Sequence, residues 1–213
     1  MKSGIKKMLS LLIILCVFLA YLQPAALHVS AENVPICEIS SVGYNSLADA
    51  LAVIRTNETI KLLTNIDYNS GISFSDKNIT FNLNGFTLNV TNPNNDGAFS
   101  TQCGLYVSGT STISIIGAGE FNVQGNRYGV YATCLNPGDA NVTVTNASSP
   151  AGTAVYSDKA IVTVKTNINA GYEGAFANLD ANITIEGNVI VNSATGNSSG
   201  LNMISSSTFT VHG

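Results

Sequence analysis

One short pattern recurs along this chain: an apolar residue, then Thr or Ser, then another apolar residue. It appears in "SDKNITF", "GTSTISI", "GDANVTV", "SDKAIVTV", "LDANITI" and "SSSTFTV", with first apolar residues Ile79, Ile113, Val142, Val162, Ile183 and Phe209. A weaker copy, "NETIKL", places Ile60 in the same series and Lys61 at its middle position. The spacings are 19, 34, 29, 20, 21 and 26 residues, a mean near 25. Flanking positions agree as well. Two before the first apolar residue stand Ser111, Ala140, Ala160, Ala181 and Ser207, and one before it Asn78, Asn141 and Asn182. Matching columns at unequal spacing mean fixed strands joined by variable loops.

A second column starts at Gly104, Gly129, Ala154, Gly174 and Gly200, in "GLYV", "GVYA", "AVYS", "GAFA" and "GLNM". A further strand-like run often follows the Thr motif, as in "FTLNV" and "EFNV". Three short strands per repeat fit a solenoid. Each strand stacks about 4.8 Å above its copy in the previous turn, and alternate residues point into a common core. Crossovers between parallel strands are right-handed in nearly all proteins. The expected fold is therefore all-β: a right-handed parallel β-helix of about seven turns, with outward Thr columns and Asn side chains free to form amide ladders. An antiparallel sandwich of hairpins is the alternative, but it gives no reason for small and Asn columns to recur at matching offsets.

"ITFNLNGFTLNV" (79–90) is the point where local and global readings part. Asn84-Gly85 between alternating runs is a strong hairpin signal. In a solenoid the same dipeptide turns one parallel strand into the next around the coil. "NSLADALAVI" reads as a short helix with Leu47, Ala50, Leu51 and Ile54 on one face, Ser46 as N-cap and Asp49 closing a capping box. It is assigned as the N-terminal cap, since a solenoid needs its first open turn covered. The domain plan is a signal peptide over 1–31, an N-terminal strand and capping helix over 32–58, and the β-helix over 59–213. The chain stops just after the seventh x-Thr-x copy. The expectation is a final turn without its own cap, covered by a partner or by a further segment.

The stretches "YNSLADAL" (44–51), "TIKLL" (59–63) and "KNITFNLNGFTLNV" (77–90) resemble the pectate-lyase-like β-helix modules of Gram-positive exported surface proteins. Such modules commonly open with an aromatic-x-Ser-Leu helix, a Thr-Ile-x-Leu-Leu strand and a Lys-x-Ile-Thr…Leu-Asn-Gly-x-Thr-Leu turn. The resemblance covers about residues 37 to 90 and implies the fold. Family members include lyases as well as wall-associated modules, and one fold hosts many activities.

Export is legible at the N-terminus. Lys2, Lys6 and Lys7 precede the apolar run "MLSLLIILCVFLAYL", and "VSA" (29–31) offers small residues for cleavage before Glu32. The run is short of the roughly 20 apolar residues a membrane span needs, and no later segment is apolar enough to span. A secreted or extracellular protein, cell-wall associated in one version, is expected. Removal of 1–31 leaves six basic residues against all 13 acidic ones, a net charge of −7 where the whole chain carries −4. Without a basic stripe, nucleic acid is not an expected partner. Three cysteines remain, Cys37, Cys103 and Cys134, and the register separates the last two too widely for a disulfide.

Chemistry is sparse. Resemblance to the lyases would imply clustered Asp ligands for calcium and an Arg base; resemblance to the hydrolases would imply paired Asp residues near a Gly-His-Gly. After residue 31 there are two arginines, Arg55 and Arg127, one histidine, His212, no Gly-His-Gly and no Asp-Asp pair. The acidic column Asp76, Thr110, Asp139, Lys159, Asp180, Ser206 puts Asp139 and Asp180 two turns apart, too far to share one ion. No catalytic residue, metal site or cofactor is assigned. The best binding candidates are the aromatics two after each small anchor, Tyr106, Tyr131, Tyr156 and Phe176, with Arg127 beside them. Facing outward in a row, stacked rings suit the apolar face of sugars; a ladder that merely shields the sheet is the competing explanation. The expected function is a non-catalytic, adhesin-like or glycan-binding surface scaffold whose partner is a polysaccharide or cell-wall glycan. The alternative is a polysaccharide lyase or glycoside hydrolase of the pectin-lyase-like fold, or an inactive fragment of one.

Overall fold

The computed structural model describes residues 34–193 and 198–213. The expected signal peptide and cleavage site over 1–31 lie outside the described residues.

The described residues open with an antiparallel pair, β1 (Cys37–Ile39) and β2 (Val42–Tyr44), followed by helix α1 (Leu47–Val53). The first turn of the solenoid is β3 (Glu58–Leu62), β4 (Ile66–Tyr68) and β5 (Ile72–Ser75). Next come β6 (Asn78–Asn82), β7 (Thr87–Asn92) and β8 (Cys103–Ser108), then β9 (Thr112–Ile116), β10 (Glu120–Gly125) and β11 (Tyr128–Thr133). The fourth turn holds β12 (Asn141–Val144), β13 (Asn146–Ser149) and β14 (Thr153–Asp158); the fifth, β15 (Ile161–Val164), β16 (Ile168–Ala170) and β17 (Glu173–Asn178). β18 (Asn182–Ile185), β19 (Val189–Val191) and β20 (Ser199–Met203) complete the sixth, and β21 (Thr208–Val211) starts a seventh.

Every third strand falls in the same sheet. The first sheet runs β2-β1-β3-β6-β9-β12-β15-β18-β21, the second β4-β7-β10-β13-β16-β19, and the third β5-β8-β11-β14-β17-β20. All pairs within the solenoid are parallel; only β1 pairs antiparallel, with β2 and β3. The described residues form a right-handed parallel β-helix preceded by one short α-helix, α1.

The x-Thr-x columns are real rungs. Ile79 pairs with Ile113, Val142 with Val162, Val162 with Ile183, and Ile183 with Phe209. The first copy is corrected by two residues: Thr59, not Lys61, lies beside Thr80, and Ile60 beside Phe81. The middle column is therefore Thr59, Thr80, Ser114, Thr143, Thr163, Thr184 and Thr210, without a charge in it. The alternation explains why: Ile60, Phe81, Ile113, Val142, Val162 and Ile183 are all buried, and their neighbours face outward.

Asn84 and Gly85 both adopt left-handed backbone angles, φ 51° and 87°. They connect β6 to β7, which belong to different sheets, so the dipeptide turns the coil and makes no hairpin. The hairpin lies elsewhere. Ser40 and Ser41, at φ 49° and 68°, join β1 to β2. Helix α1 has the expected Ser46 N-cap, with Asp49 N–H donating to Ser46 Oγ at 3.1 Å, but the Asp49 carboxylate accepts from the Ser46 hydroxyl at 2.6 Å where a capping box would use the Ser46 backbone N–H. Leu47, Ala50 and Ile54 enter the core beside β1.

Asn side chains form a ladder along the second sheet. Asn146 Nδ2 donates to Asn122 Oδ1 at 2.8 Å, Asn122 Nδ2 to Asn89 Oδ1 at 3.0 Å, and Asn89 Nδ2 to Asp67 Oδ1 at 2.8 Å. The series continues into the turns, where Asn167 N–H donates to Asn146 Oδ1 and Asn188 N–H to Asn167 Oδ1. Cys37, Cys103 and Cys134 are all buried free thiols. Among the described residues no helix is long and apolar enough to cross a membrane.

Candidate functional site

The site grows from the corner where the second sheet passes into the third. The small anchors are dictated by that corner. A Cβ added at Gly129 would stand 2.6 Å from the Ala154 carbonyl oxygen, and one at Gly104 2.6 Å from that of Gln124. Residue −1 of the anchor and residue +2 then bracket the bend. The +2 column aligns Tyr106, Tyr131, Tyr156 and Phe176, with Asn202 next. The −1 column aligns Cys103, Tyr128, Thr153, Glu173 and Ser199.

The +2 rings form a continuous half-buried ladder. Tyr106 and Tyr131 stack with centroids 5.5 Å apart at 13°, Tyr131 and Tyr156 at 4.7 Å and 33°, and Tyr156 and Phe176 at 4.9 Å and 7°. Tyr128 closes over the ladder from the corner, 5.1 Å from Tyr131 and 5.3 Å from Tyr156. Burial pushes the Tyr131 phenol up to about 12, with the neighbouring phenols and Asp158 adding to the shift. The Tyr156 phenol is also raised, first by burial and then by the charge of Asp158, by Tyr128 and by Glu173. Both hydroxyls are therefore protonated and able to donate at neutral pH.

The long connection between β7 and β8 builds one wall. Its 3-10 turn, Phe99–Gln102, sets the Phe99 ring edge-on to Tyr128 at 6.4 Å. The Arg127 guanidinium lies 4.1 Å from the Phe99 centroid and 5.6 Å from that of Tyr128, and its Nε–H donates to Tyr128 Oη at 3.3 Å. Asn126 Nδ2 ties to Asn95 Oδ1 at 2.8 Å and Arg127 N–H to the Gln102 carbonyl at 3.2 Å, which fixes the wall.

These parts enclose a groove of about 560 Å³, lined by Asn126, Arg127, Tyr128, Thr153, Tyr156, Tyr172, Glu173, Phe176 and Asn202. Glu173 is the acidic lining residue, and it is only 6% exposed. Thr153 Oγ1–H donates to its Oε2 at 3.3 Å and Ser199 Oγ–H to its Oε1 at 3.1 Å. Two turns' worth of neutral hydroxyls thus hold the carboxylate. Asp158, two residues beyond Tyr156, has its Oδ1 enclosed without a hydrogen-bond partner.

Three of the five sequence candidates, Tyr156, Phe176 and Arg127, line the groove; Tyr106 and Tyr131 continue the ladder beyond it. Sequence reasoning missed Glu173 and Phe99. A signal for Glu173 existed, since it is the charged member of a column otherwise holding Cys, Tyr, Thr and Ser. Phe99 gave none, because it sits in an insertion with no counterpart in other turns.

The acidic column of the sequence is a turn column. Asp76, Lys159 and Asp180 take left-handed backbone, φ 54°, 62° and 65°. The Thr110 N–H, 3.0 Å from Asp76 Oδ1, and then the Ser75 hydroxyl hold the Asp76 carboxyl below the usual carboxylate range. Lys159 Nζ donates to the Leu135 carbonyl. Asp is one of the short polar side chains that suit this backbone, so Asp76 and Asp180 are accounted for there without a ligand. Among the described residues, no three His, Cys, Asp or Glu side chains are grouped to hold a metal ion.

No family model matches the chain, and neither a curated protein nor a solved structure gives a significant match.

Proposed function

We propose that the chain is an exported, non-catalytic β-helix module that binds glycans along its aromatic ladder. It acts as an adhesin-like scaffold at the cell surface or in the extracellular space. The observation that carries this reading is the run Tyr106–Tyr131–Tyr156–Phe176, stacked at 4.7 to 5.5 Å and opening into the groove beside Arg127. Half-buried rings offer apolar faces to sugar C–H groups, while protonated phenols and the polar lining offer hydrogen bonds to hydroxyls. Rigid strands hold these groups in place before a ligand arrives, which lowers the ordering cost of binding. The resemblance of residues 37–90 to pectate-lyase-like modules of Gram-positive surface proteins, and the leader-like 1–31, support an exported, wall-associated setting. The polysaccharide is the partner in this reading. The exposed Leu201, Met203 and Ile204 fit an apolar contact with a partner.

A glycan array tests it. Alanine at Tyr106, Tyr131 and Tyr156 should abolish binding, and an unchanged profile would remove the platform. The second reading, a polysaccharide lyase or glycoside hydrolase, is favoured by one observation: a buried carboxylate, Glu173, in a groove that also holds tyrosines and an arginine. Depolymerisation assays with and without calcium separate the two, since robust turnover belongs only to the enzyme.

A further inference from the structure

Glu173 is a buried carboxylate in the groove wall and takes part in no ion pair among the described residues. Its carboxylate accepts from two neutral hydroxyls, those of Thr153 and Ser199. The ion pairs among the described residues, Lys61–Glu38 and Lys165–Glu186, lie elsewhere. Arg127 is turned onto the Phe99 ring instead, and its charge is felt at the Cys103 thiol. A carboxylate this enclosed and without a cation has lost water and gained little in return. The rings of Tyr128, Tyr156 and Phe176 meet the same groove. Aromatic faces and a desolvated carboxylate both attract a cation, and neither rewards a neutral or anionic group to the same degree.

We propose that the groove selects an amine-bearing sugar, its ammonium lodged against Glu173 and the rings of Tyr128, Tyr156 and Phe176. The sugar ring lies along the ladder, and Arg127, at the opposite wall, takes hydroxyl or carbonyl oxygens of the adjoining unit. This rests on the glycan-binding reading and narrows its ligand to hexosamines with a free amine. N-acetylated sugars present a neutral amide at the same carbon and leave the carboxylate uncompensated.

Calorimetry with the intact chain tests the selection, using a glucosamine oligomer, its fully N-acetylated counterpart and a neutral glucose oligomer of equal length. The buffer is mildly acidic, so that the amines are charged. The free-amine oligomer should bind about tenfold or more tightly than the other two. Glu173→Gln should remove that preference, while Glu186→Gln, remote and paired with Lys165, should keep it. Equal binding of all three oligomers overturns the amine selection and leaves the glycan platform standing. Binding of none overturns both. A preference that survives E173Q, or disappears in E186Q, overturns the role of Glu173 in favour of general attraction to an acidic protein. The wild-type comparison needs no variant, so a poorly folding E173Q leaves the proposal open to refutation.

Discussion

Tyr156 and Phe176 face each other across β14 and β17 with ring planes 7° apart and centroids 4.9 Å apart. They are register partners, so the stack is a consequence of the parallel pairing and needs no loop to hold it. Each ring covers the sheet and covers its neighbour. Tyr156→Ala should therefore cost about 1–3 kcal/mol of unfolding free energy, part from lost apolar burial and part from the stack. Tyr156→Phe keeps both and should stay within about 0.5 kcal/mol of wild type. Urea unfolding measures the two. If the hydroxyl contacts ligand, Y156F weakens glycan binding without lowering stability, which distinguishes recognition from simple shielding of the sheet.

The corner that forms the groove has its own test. Gly129 lies where an added Cβ would meet the Ala154 carbonyl oxygen at 2.6 Å and the Ser148 carbonyl oxygen at 2.7 Å. These are backbone atoms of neighbouring strands and cannot swing away. Gly129→Val should destabilise by about 1–3 kcal/mol or more through overpacking. It should also tilt Tyr128 and Tyr131 on either side, lowering ligand affinity. Thermal melting with a binding assay on the surviving folded fraction checks both effects. A melt like that of wild type would mean the corner is looser than its geometry indicates.

How much of this was legible in the sequence depended on periodicity. Columns from Ile79 onward, the Tyr106–Phe176 row and the Ser46 cap all follow from spacings of two within strands and matched offsets between turns. The first copy was misaligned because the one apolar-x-apolar frame in "ETIKL" is Ile60-Lys61-Leu62, whereas the rung uses Glu58-Thr59-Ile60, which only the pairing of Ile60 with Phe81 reveals. The β1–β2 hairpin was hidden because Ser-Ser is not a residue pair that favours left-handed backbone. The charge of Glu173 stands out in its column, but its burial was hidden for a different reason. Its burial depends on the corner, on Thr153 and Ser199 in adjoining turns, and on walls contributed by residues 95–102. None of these is local to "GYEGAF". The aromatic row belongs to the repeat and was legible with it, whereas Glu173 and Phe99 stand where the repeat is broken.

The amide ladder makes the next prediction. Asn122 receives from Asn146 and donates to Asn89, each at 3.0 Å or less, in the middle of the series. Asn122→Ala leaves an amide donor above and an amide acceptor below without partners, at a site only partly open to water. The expected loss is about 1–2 kcal/mol. Asn122→Asp should lose more at neutral pH than at acidic pH, since an ionised carboxylate cannot donate to Asn89. Denaturant midpoints at the two pH values decide this, and identical midpoints would mean that the ladder carries no directional bonding.

Alkaline pH should unfold the protein earlier than its tyrosines alone would require. Burial, reinforced by the charge of Asp49, pushes the Cys37 thiol up to about 11 from an ordinary 9.0. Burial pushes Cys103 up to about 12, and Arg127 offsets only part of that. Tyr131 rises to about 12 from an ordinary 10.0, chiefly by burial. In each case the folded chain holds its proton more tightly than the unfolded chain. Below about pH 9 both states are protonated, and the stability due to these groups is fully present. Between about 9 and 12 the unfolded chain loses protons that the folded chain keeps, so stability falls with rising pH. The thiols act first because their unfolded value is lower. Cys103→Ala should flatten the decline in its early part, between the thiol and phenol values, while leaving the later part due to Tyr131. Unfolding free energy measured across this range, under reducing conditions, checks the order. A decline that begins only with tyrosine ionisation, and is the same in C103A, would show that the thiols ionise freely in the folded protein.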